Sequence, residues 1–379
     1  MKKNIPLSVP NISGNEIKYV EKALKEEWVS TAGPFIKEFE NKIAKYVKAN
    51  EAVACQNGTA GIHLSLLSVG VTSNDEVIVP ALTFVATVNP VRYCNAIPVF
   101  IDCDESLCLD MGKLELFCKE SCELIDNKLI NKKSGNHIKA IVVVHVFGNM
   151  ADMEKLMKIA KKYGLIVIED AAEALGTYYT GGIYKGMYAG TIGDVGIYSF
   201  NGNKILTTGG GGIVVSKSKE IIEKIRHLST QAKSDLLYFD HDEIGYNYRM
   251  TNIQAGLGLA QLERLEEFIN IKRDNYNYYQ AQGINLLAFR DNIRPNYWFY
   301  SFKSKDRDKA IRFLADNNVQ SRPIWKLICD LKPYEKFEQY MIEQARNFWE
   351  CIVNLPCSTN LCKEEIDEVV KLLKIIERA

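Results

Sequence analysis

Residues 199–212 read SFNGNKILTTGGGG, a lysine beside threonines and a glycine run, residue types that can bind phosphate or do covalent chemistry. A phosphate loop of the Walker pattern needs its lysine directly after the glycines and before serine or threonine. Here Lys204 lies between Asn203 and Ile205, and the glycines follow it, so that reading fails. Two readings of Lys204 remain. It is a solvated surface amine, the usual state of lysine, or an amine at the end of the apolar stretch DVGIYSF (194–200) that forms a Schiff base with an aldehyde. The glycines would then allow a tight turn or a close backbone approach.

Three other places pair an unusual residue with a strand end. In CQNGTAGIHLSLL (55–67) a strand turns through Gly58 into an apolar helix, which leaves the N–H groups of Thr59 and Ala60 as an anion site or makes an ordinary corner. In VIEDAAEALG (167–176), Glu169 and Asp170 close an apolar strand, either as a helix cap or where α/β sheets bind ligands. In PALTFVATVNP (80–90), Phe84 is core or offers a face to an aromatic ligand. Each is ambiguous by itself. Together they supply an acid for a ring nitrogen, a lysine for an aldehyde, a helix N-terminus for a phosphate and a ring for stacking. Pyridoxal 5′-phosphate (PLP) requires that set.

Seven short apolar runs must position these groups: 52–55, 76–80, 97–102, 139–147, 165–170, 194–200 and 211–216. Several are apolar at consecutive positions, the pattern of strands buried on both faces, and helical stretches at 59–69 and 151–163 lie between them. The expectation is an α/β fold with a mainly parallel sheet covered by helices. Ahead of it, Ser13 and Glu16 are spaced as a capping box before Ile17, Val20 and Leu24, and a second helix after the turn at 31–34 aligns Phe35, Phe39, Ile43 and Val47. The polar segment 104–137 reads as a surface excursion. A long helical stretch runs from 252 to about 280, and a small α+β unit follows, which divides the chain into 1–250 and 251–379. Tyr276, Tyr278 and Tyr279 read as helix packing, His63 as a core residue, and His145 has no assigned role.

Composition narrows the class. The 379 residues are 47% hydrophobic and 25% charged with zero formal net charge, so no global field favours nucleic acid or acidic lipid. No apolar run has the length of a signal core or membrane span. The ten cysteines form no C-x-x-C pair, which argues against zinc and for a reducing cytoplasm.

The chain resembles the DegT/DnrJ/EryC/StrS family of PLP-dependent nucleotide-sugar aminotransferases. The resemblance runs from IPLSVPNIS to NLPCSTNLCKEEID, through EEWVSTAGPFIKEFE, NGTAGIHLSL, VVVHVFGNMADM, IEDAAEALG, GDVGIYSFNGNKILTTGGGG, GYNYRMTNIQAGLG and SRPIW. It implies the aspartate-aminotransferase-like fold (fold type I), with Lys204 as the covalent anchor and proton shuttle. It also implies that Asp170 pairs with the ring nitrogen, that Phe84 stacks, and that Gly58, Thr59, Ala60 and Ser199 hold the phosphate. Glu173 stands where the family often has glutamine or histidine. Asn247 matches an asparagine that reaches the phosphate of a neighbouring subunit, which implies a homodimer with composite active sites. Trp28, Ser30, Thr31 and Arg322 would flank the sugar. Relatives that remove a hydroxyl carry histidine in place of the lysine, so Lys204 favours transamination. L-glutamate is the implied donor, and a nucleotide-linked 4-keto-6-deoxy sugar the acceptor. EEWVSTAG and SFNGNK–TTGGGG are most similar to enzymes of the legionaminic-acid pathway, which implies a UDP-linked 2-acetamido-2,6-dideoxy-hexos-4-ulose; a GDP-perosamine-type enzyme is the alternative. A non-catalytic PLP-binding sensor would need a basic DNA-binding module, and the sequence offers none.

Overall fold

The computed structural model describes residues 4–235 and 237–378. Helices α1 (Glu16–Lys25) and α2 (Pro34–Val47) lead into β1 (Glu51–Cys55), α3 (Gly58–Ser68), β2 (Asp75–Pro80), α4 (Asn89–Tyr93) and β3 (Ile97–Ile101). Then come α5 (Met111–Glu120), β4 (Cys122–Ile125), β5 (Lys128–Asn131), β6 (His137–Val144), α6 (Met153–Tyr163), β7 (Ile166–Asp170) and β8 (Tyr178–Tyr179). Strands β9 (Val195–Ser199) and β10 (Gly212–Ser216) precede α7 (Lys219–Ser229), α8 (Asn252–Leu262) and α9 (Leu265–Ala281). The remainder is β11 (Ile293–Arg294), β12 (Tyr300–Lys303), α10 (Arg307–Asp316), β13 (Arg322–Pro323), β14 (Gln339–Tyr340), α11 (Gln344–Cys351), β15 (Ile352–Leu355) and α12 (Lys363–Arg378).

All seven expected strands form, and they share one sheet in the order β1-β10-β9-β7-β6-β2-β3-β14. From β9 to β14 neighbours run parallel, while β1 and β10 are antiparallel additions. The central strands are buried along nearly their whole length, as runs of valine and isoleucine require when helices cover both faces. Their carboxyl ends converge: Asp170 pairs with Val144 and Ile197, and Ser199 pairs with Gly212, which in turn pairs with Cys55. A second sheet, β12-β15-β13, lies in the C-terminal part. That part is tied to the large sheet by β14 and by Asp102, a buried carboxylate that accepts the N–H groups of Glu343, Gln344 and Ala345 at 3.0, 2.8 and 2.8 Å. We propose the division at 250/251 with this tie across it. Among the described residues no helix is long and apolar enough to cross a membrane.

Four expectations need correction. The N-cap of α1 is Asn15, not Ser13. Glu16 is buried and accepts from the Gly14 N–H and Gln261, while Ser13 donates to Asn11. Ile17 and Leu24 are exposed, 78% and 54%, because Glu16 and Ala23 form the inward face. Periodicity identifies residues that share a face, not what covers it. The helical stretch from 252 breaks at Glu263–Arg264 into α8 and α9. Segment 104–137 is no excursion: it forms α5, with Leu114, Phe117 and Cys118 buried, and a hairpin whose β5 pairs with β6.

Other readings hold. The inward face of α2 buries Phe35, Phe39, Ile43 and Val47. Tyr276 and Tyr279 are buried, and Tyr278 bonds Asp367. His63 is buried among Tyr93, Tyr246 and Tyr248, with neither ring nitrogen hydrogen-bonded.

Candidate active site

The converging strand ends open onto a cavity of about 340 Å³, within the size range of small-molecule sites. Gly58, Thr59, Phe84, Asp170, Glu173, Ser199 and Lys204 all line it. Segments far apart in sequence thus deliver their side chains to one place, from the ends of β7 and β9, the loops that follow β2, β7 and β9, and the start of α3.

Asp170 and its neighbour Glu169 point to opposite faces of β7, as alternation requires. Glu169 is fully buried and takes the N–H groups of Gly190, Ile192 and Gly193 at 2.8, 2.7 and 2.5 Å, together with His145 Nε2 at 2.8 Å. The Ala151 N–H donates to His145 Nδ1, so Nε2 carries the proton and His145 serves this structural cluster rather than the cavity. Burial pushes the Glu169 carboxyl up, but these donors outweigh it and hold the group below its ordinary range. Asp170 receives only neutral donors, the Thr87 hydroxyl at 2.7 Å and the Ala172 N–H at 3.1 Å. Burial raises its pKa, and the two hydrogen bonds and the Lys204 charge do not offset that. A buried carboxylate of this kind calls for a cationic partner from the cavity.

Lys204 is 12% exposed; its Nζ lies 3.4 Å from Glu173 Oε1 and 4.1 Å from the centroid of the Trp298 ring. The Phe147 N–H donates to the other Glu173 oxygen at 2.9 Å. Burial, only partly offset by Lys204, pushes the Glu173 carboxyl up to about 7. Phe84, half exposed, stands at the cavity edge beside Trp325, their centroids 6.3 Å apart.

At the far end is the start of α3. Asn57 caps it, its side chain accepting the Ala60 N–H at 2.8 Å. The Ala60 N–H therefore already has a partner, which corrects its expected place in an anion site; Gly58 and Thr59 are the N–H donors of this turn that remain. Ser199 sits against them, since a Cβ on Gly58 would come within 3.0 Å of the Ser199 Cβ. Gly212, the last glycine of the run, pairs with Ser199 and Cys55, and a Cβ there would lie 2.6 Å from the Asn57 carbonyl carbon and 2.8 Å from the Gly58 nitrogen. The glycine run gives room for the turn into α3 rather than itself holding an anion.

PLP fits this donor set on three counts: an amine for its aldehyde, a carboxylate short of a cation for its ring nitrogen, and N–H groups with a hydroxyl at a helix N-terminus for its phosphate. Asn247, Trp28, Ser30, Thr31 and Arg322 do not line the cavity. Asn247 is exposed and pairs with Thr230, Arg322 is exposed on β13, and the carbonyls of Trp28 and Ser30 accept from Asn252 at the start of α8. Sequence reasoning missed Thr87, Asn57, Trp298 and Trp325. Asn57 carries the N-cap signal of asparagine before an apolar helix, whereas Trp298 reaches the site from 95 positions beyond Asn203 with no local mark.

The model of the DegT/DnrJ/EryC1/StrS aminotransferase family matches residues 10–374. GDP-perosamine synthase from Escherichia coli O157:H7 is 37% identical over 371 residues, 96% of each chain. UDP-4-amino-4,6-dideoxy-N-acetyl-beta-L-altrosamine transaminase from Campylobacter jejuni is 29% identical, over 93% of this chain and 92% of its own. Among solved structures, Spr1654 from Streptococcus pneumoniae in its PLP-form aligns over 99% of both chains with a TM-score of 0.87 and 26% identity.

Proposed function

The chain belongs to the DegT/DnrJ/EryC1/StrS aminotransferase family, a family of PLP-dependent sugar aminotransferases, and from that premise we propose how its own residues carry out amino transfer. The observation that carries the reading is the joint presence of Lys204, Asp170 and the free start of α3 in one cavity. Bound PLP supplies the carbonyl that receives the amino group and a ring that draws electrons from the neighbouring carbon.

Lys204 is the covalent anchor and, once free, moves the proton at Nζ, a service typically worth about 10²–10⁴-fold in rate. Asp170 keeps a proton on the ring nitrogen, and that cation is the partner its buried carboxylate lacks. Gly58, Thr59 and Ser199 bind the phosphate, each hydrogen bond to such a charged group contributing roughly 1.5–3 kcal/mol. Phe84 stacks on the ring, and Glu173 steadies Lys204 at the cavity wall.

L-glutamate is the donor and a nucleotide-linked 4-keto-6-deoxy sugar the acceptor, so that the product is a 4-amino sugar for a surface glycan or a nonulosonic acid. We place the UDP-linked 2-acetamido-2,6-dideoxy-hexos-4-ulose of the legionaminic-acid pathway first, on the resemblance in EEWVSTAG and SFNGNK–TTGGGG; the Campylobacter relative is named for a UDP-linked N-acetyl sugar. The GDP-linked hexulose is the second reading, favoured by the Escherichia coli relative.

The active unit is a homodimer in which Asn247 reaches the partner's phosphate. Its exposure outside this chain's own cavity supports that, as do exposed Leu237, Tyr238, Phe239 and Ile244 on the same segment, an apolar surface that association would cover. Trp28, Ser30, Thr31 and Arg322 are the sugar contacts of that assembly. The cytoplasm is its place, in keeping with ten free thiols.

A panel of UDP-, GDP- and dTDP-linked 4-keto sugars with glutamate, and product stereochemistry by NMR, tests the substrate. Reaction with UDP-linked 2-acetamido sugars alone upholds the first reading. Preference for a GDP-hexulose overturns it in favour of the second.

A further inference from the structure

Trp298 is 2% exposed and meets the Lys204 segment twice. Its ring centroid lies 4.1 Å from Lys204 Nζ, and its Nε1–H donates to the carbonyl of Asn203, the residue before the lysine, at 2.7 Å. Glu173 Oε1 approaches the same Nζ at 3.4 Å. The amine thus contacts both a carboxylate and the aromatic face that attracts cations most strongly.

The Trp298 main chain is itself held on both sides of the peptide. The Trp298 N–H donates to Asn296 Oδ1 at 3.0 Å, and the Trp298 carbonyl accepts from the buried ammonium of Lys272 at 3.1 Å. Asn296, fully buried, also donates to the carbonyls of Glu173 and Leu175, both at 2.9 Å. One carboxamide therefore fixes the two walls of the lysine's seat relative to each other. Gly148, at φ +89°, closes on the same Asn296, and a side chain there would strike its Oδ1.

We infer that Trp298 is a positioning residue which, together with Glu173, forms a dock for the Lys204 amine whenever that amine is not bonded to the cofactor. The inference rests on the reading of Lys204 as the covalent anchor. The dock keeps a charged, flexible four-carbon side chain at the cavity wall instead of letting it swing away between half-reactions. A cation–ring contact of this kind corresponds to about 2- to 30-fold in equilibrium or rate.

The test compares Trp298→Leu, which removes ring and indole N–H, with Trp298→Phe, which keeps a weaker ring, and with Lys204→Ala. In apoprotein, acylation of Lys204 Nζ is followed by mass spectrometry across pH. In the PLP-loaded protein, the rate at which saturating glutamate bleaches the visible band is measured alongside KM. Trp298→Leu is expected to lower the pH midpoint of acylation by about half a unit or more, and to slow bleaching roughly tenfold with KM within about twofold. Trp298→Phe is expected to shift both in the same direction by less. Unchanged midpoints in folded variants, checked by circular dichroism, overturn the dock, and if Trp298→Leu does not fold, Trp298→Phe decides alone. Turnover by Lys204→Ala overturns the anchor instead, so the two failures are distinct.

Discussion

Glu169 and Asp170 are adjacent on one strand, and their carboxylates meet opposite fates. Glu169 accepts three backbone N–H groups and His145, whereas Asp170 accepts one hydroxyl and one N–H at the edge of the cavity. One is satisfied by the protein, and the other is held for something the protein lacks. Their substitutions should therefore separate. Glu169→Gln leaves part of a buried network unpaired and is expected to cost about 2–4 kcal/mol of stability, read by urea unfolding. Asp170→Asn is expected to change stability by less than about 1 kcal/mol, yet to lower the rate of glutamate bleaching by 100-fold or more. Equal stability losses for the two would contradict the division of labour.

Gly212→Ala tests the backbone approach behind the start of α3, the proposed phosphate site. The added Cβ would meet the Asn57 carbonyl carbon at 2.6 Å and the Gly58 nitrogen at 2.8 Å, atoms of a helix start that cannot yield without moving the N–H groups beside it. The expected result is a PLP dissociation constant raised about tenfold or more, measured by equilibrium dialysis, while helix content by circular dichroism is kept. By contrast, a Cβ at Gly209 meets nothing within 4 Å; its φ of +79° makes Gly209→Ala a strain test, with stability lost and PLP affinity retained.

What the sequence made legible follows from how local each signal is. The seven sheet strands and the buried face of α2 are written in consecutive or periodic apolar residues, and Lys204, Asp170 and Ser199 stand at their ends. The seat of Lys204 is not local. Trp298 and Asn296 arrive from the C-terminal part, and nothing in NYWFYSF distinguishes a tryptophan that holds an amine from one that fills a core. The outward stripe of α1 misled for a related reason. Ile17 and Leu24 have helical spacing, but the helix turns Ala23 and the carboxylate of Glu16 inward, because Gly14 and Gln261 provide that carboxylate with donors.

Glu173 gives a pH signature. Burial lifts its carboxyl from 4.5 to about 7 in the folded apoprotein, with Lys204 and Asp170 as the charged groups facing it. The folded state then holds a proton that the unfolded chain releases near its ordinary value. The stabilising contribution is complete below about pH 4.5 and is lost as pH rises through about 7, on the order of 3 kcal/mol in all. Urea unfolding of the apoprotein between pH 5 and 8 should show stability from this source falling with pH, and Glu173→Gln should flatten that slope. A variant with the wild-type slope would place the titration elsewhere.

Composite sites make a prediction that no single-chain property can imitate. If Asn247 serves the partner's cavity, Lys204→Ala and Asn247→Ala chains are each inactive or weak alone, but they complement when mixed. In a mixed dimer, one cavity combines both defects. The other has an intact Lys204 from the Asn247→Ala chain and an intact Asn247 from the Lys204→Ala chain. Random exchange of equal amounts gives half mixed dimers, so about one quarter of wild-type sites should be restored. The measurement is turnover after the two variants are unfolded together and refolded, against separately refolded controls. Asn247 is exposed and outside this chain's own cavity, so a purely local role would leave the mixture at the mean of its parts. Activity above that mean requires two chains at one site.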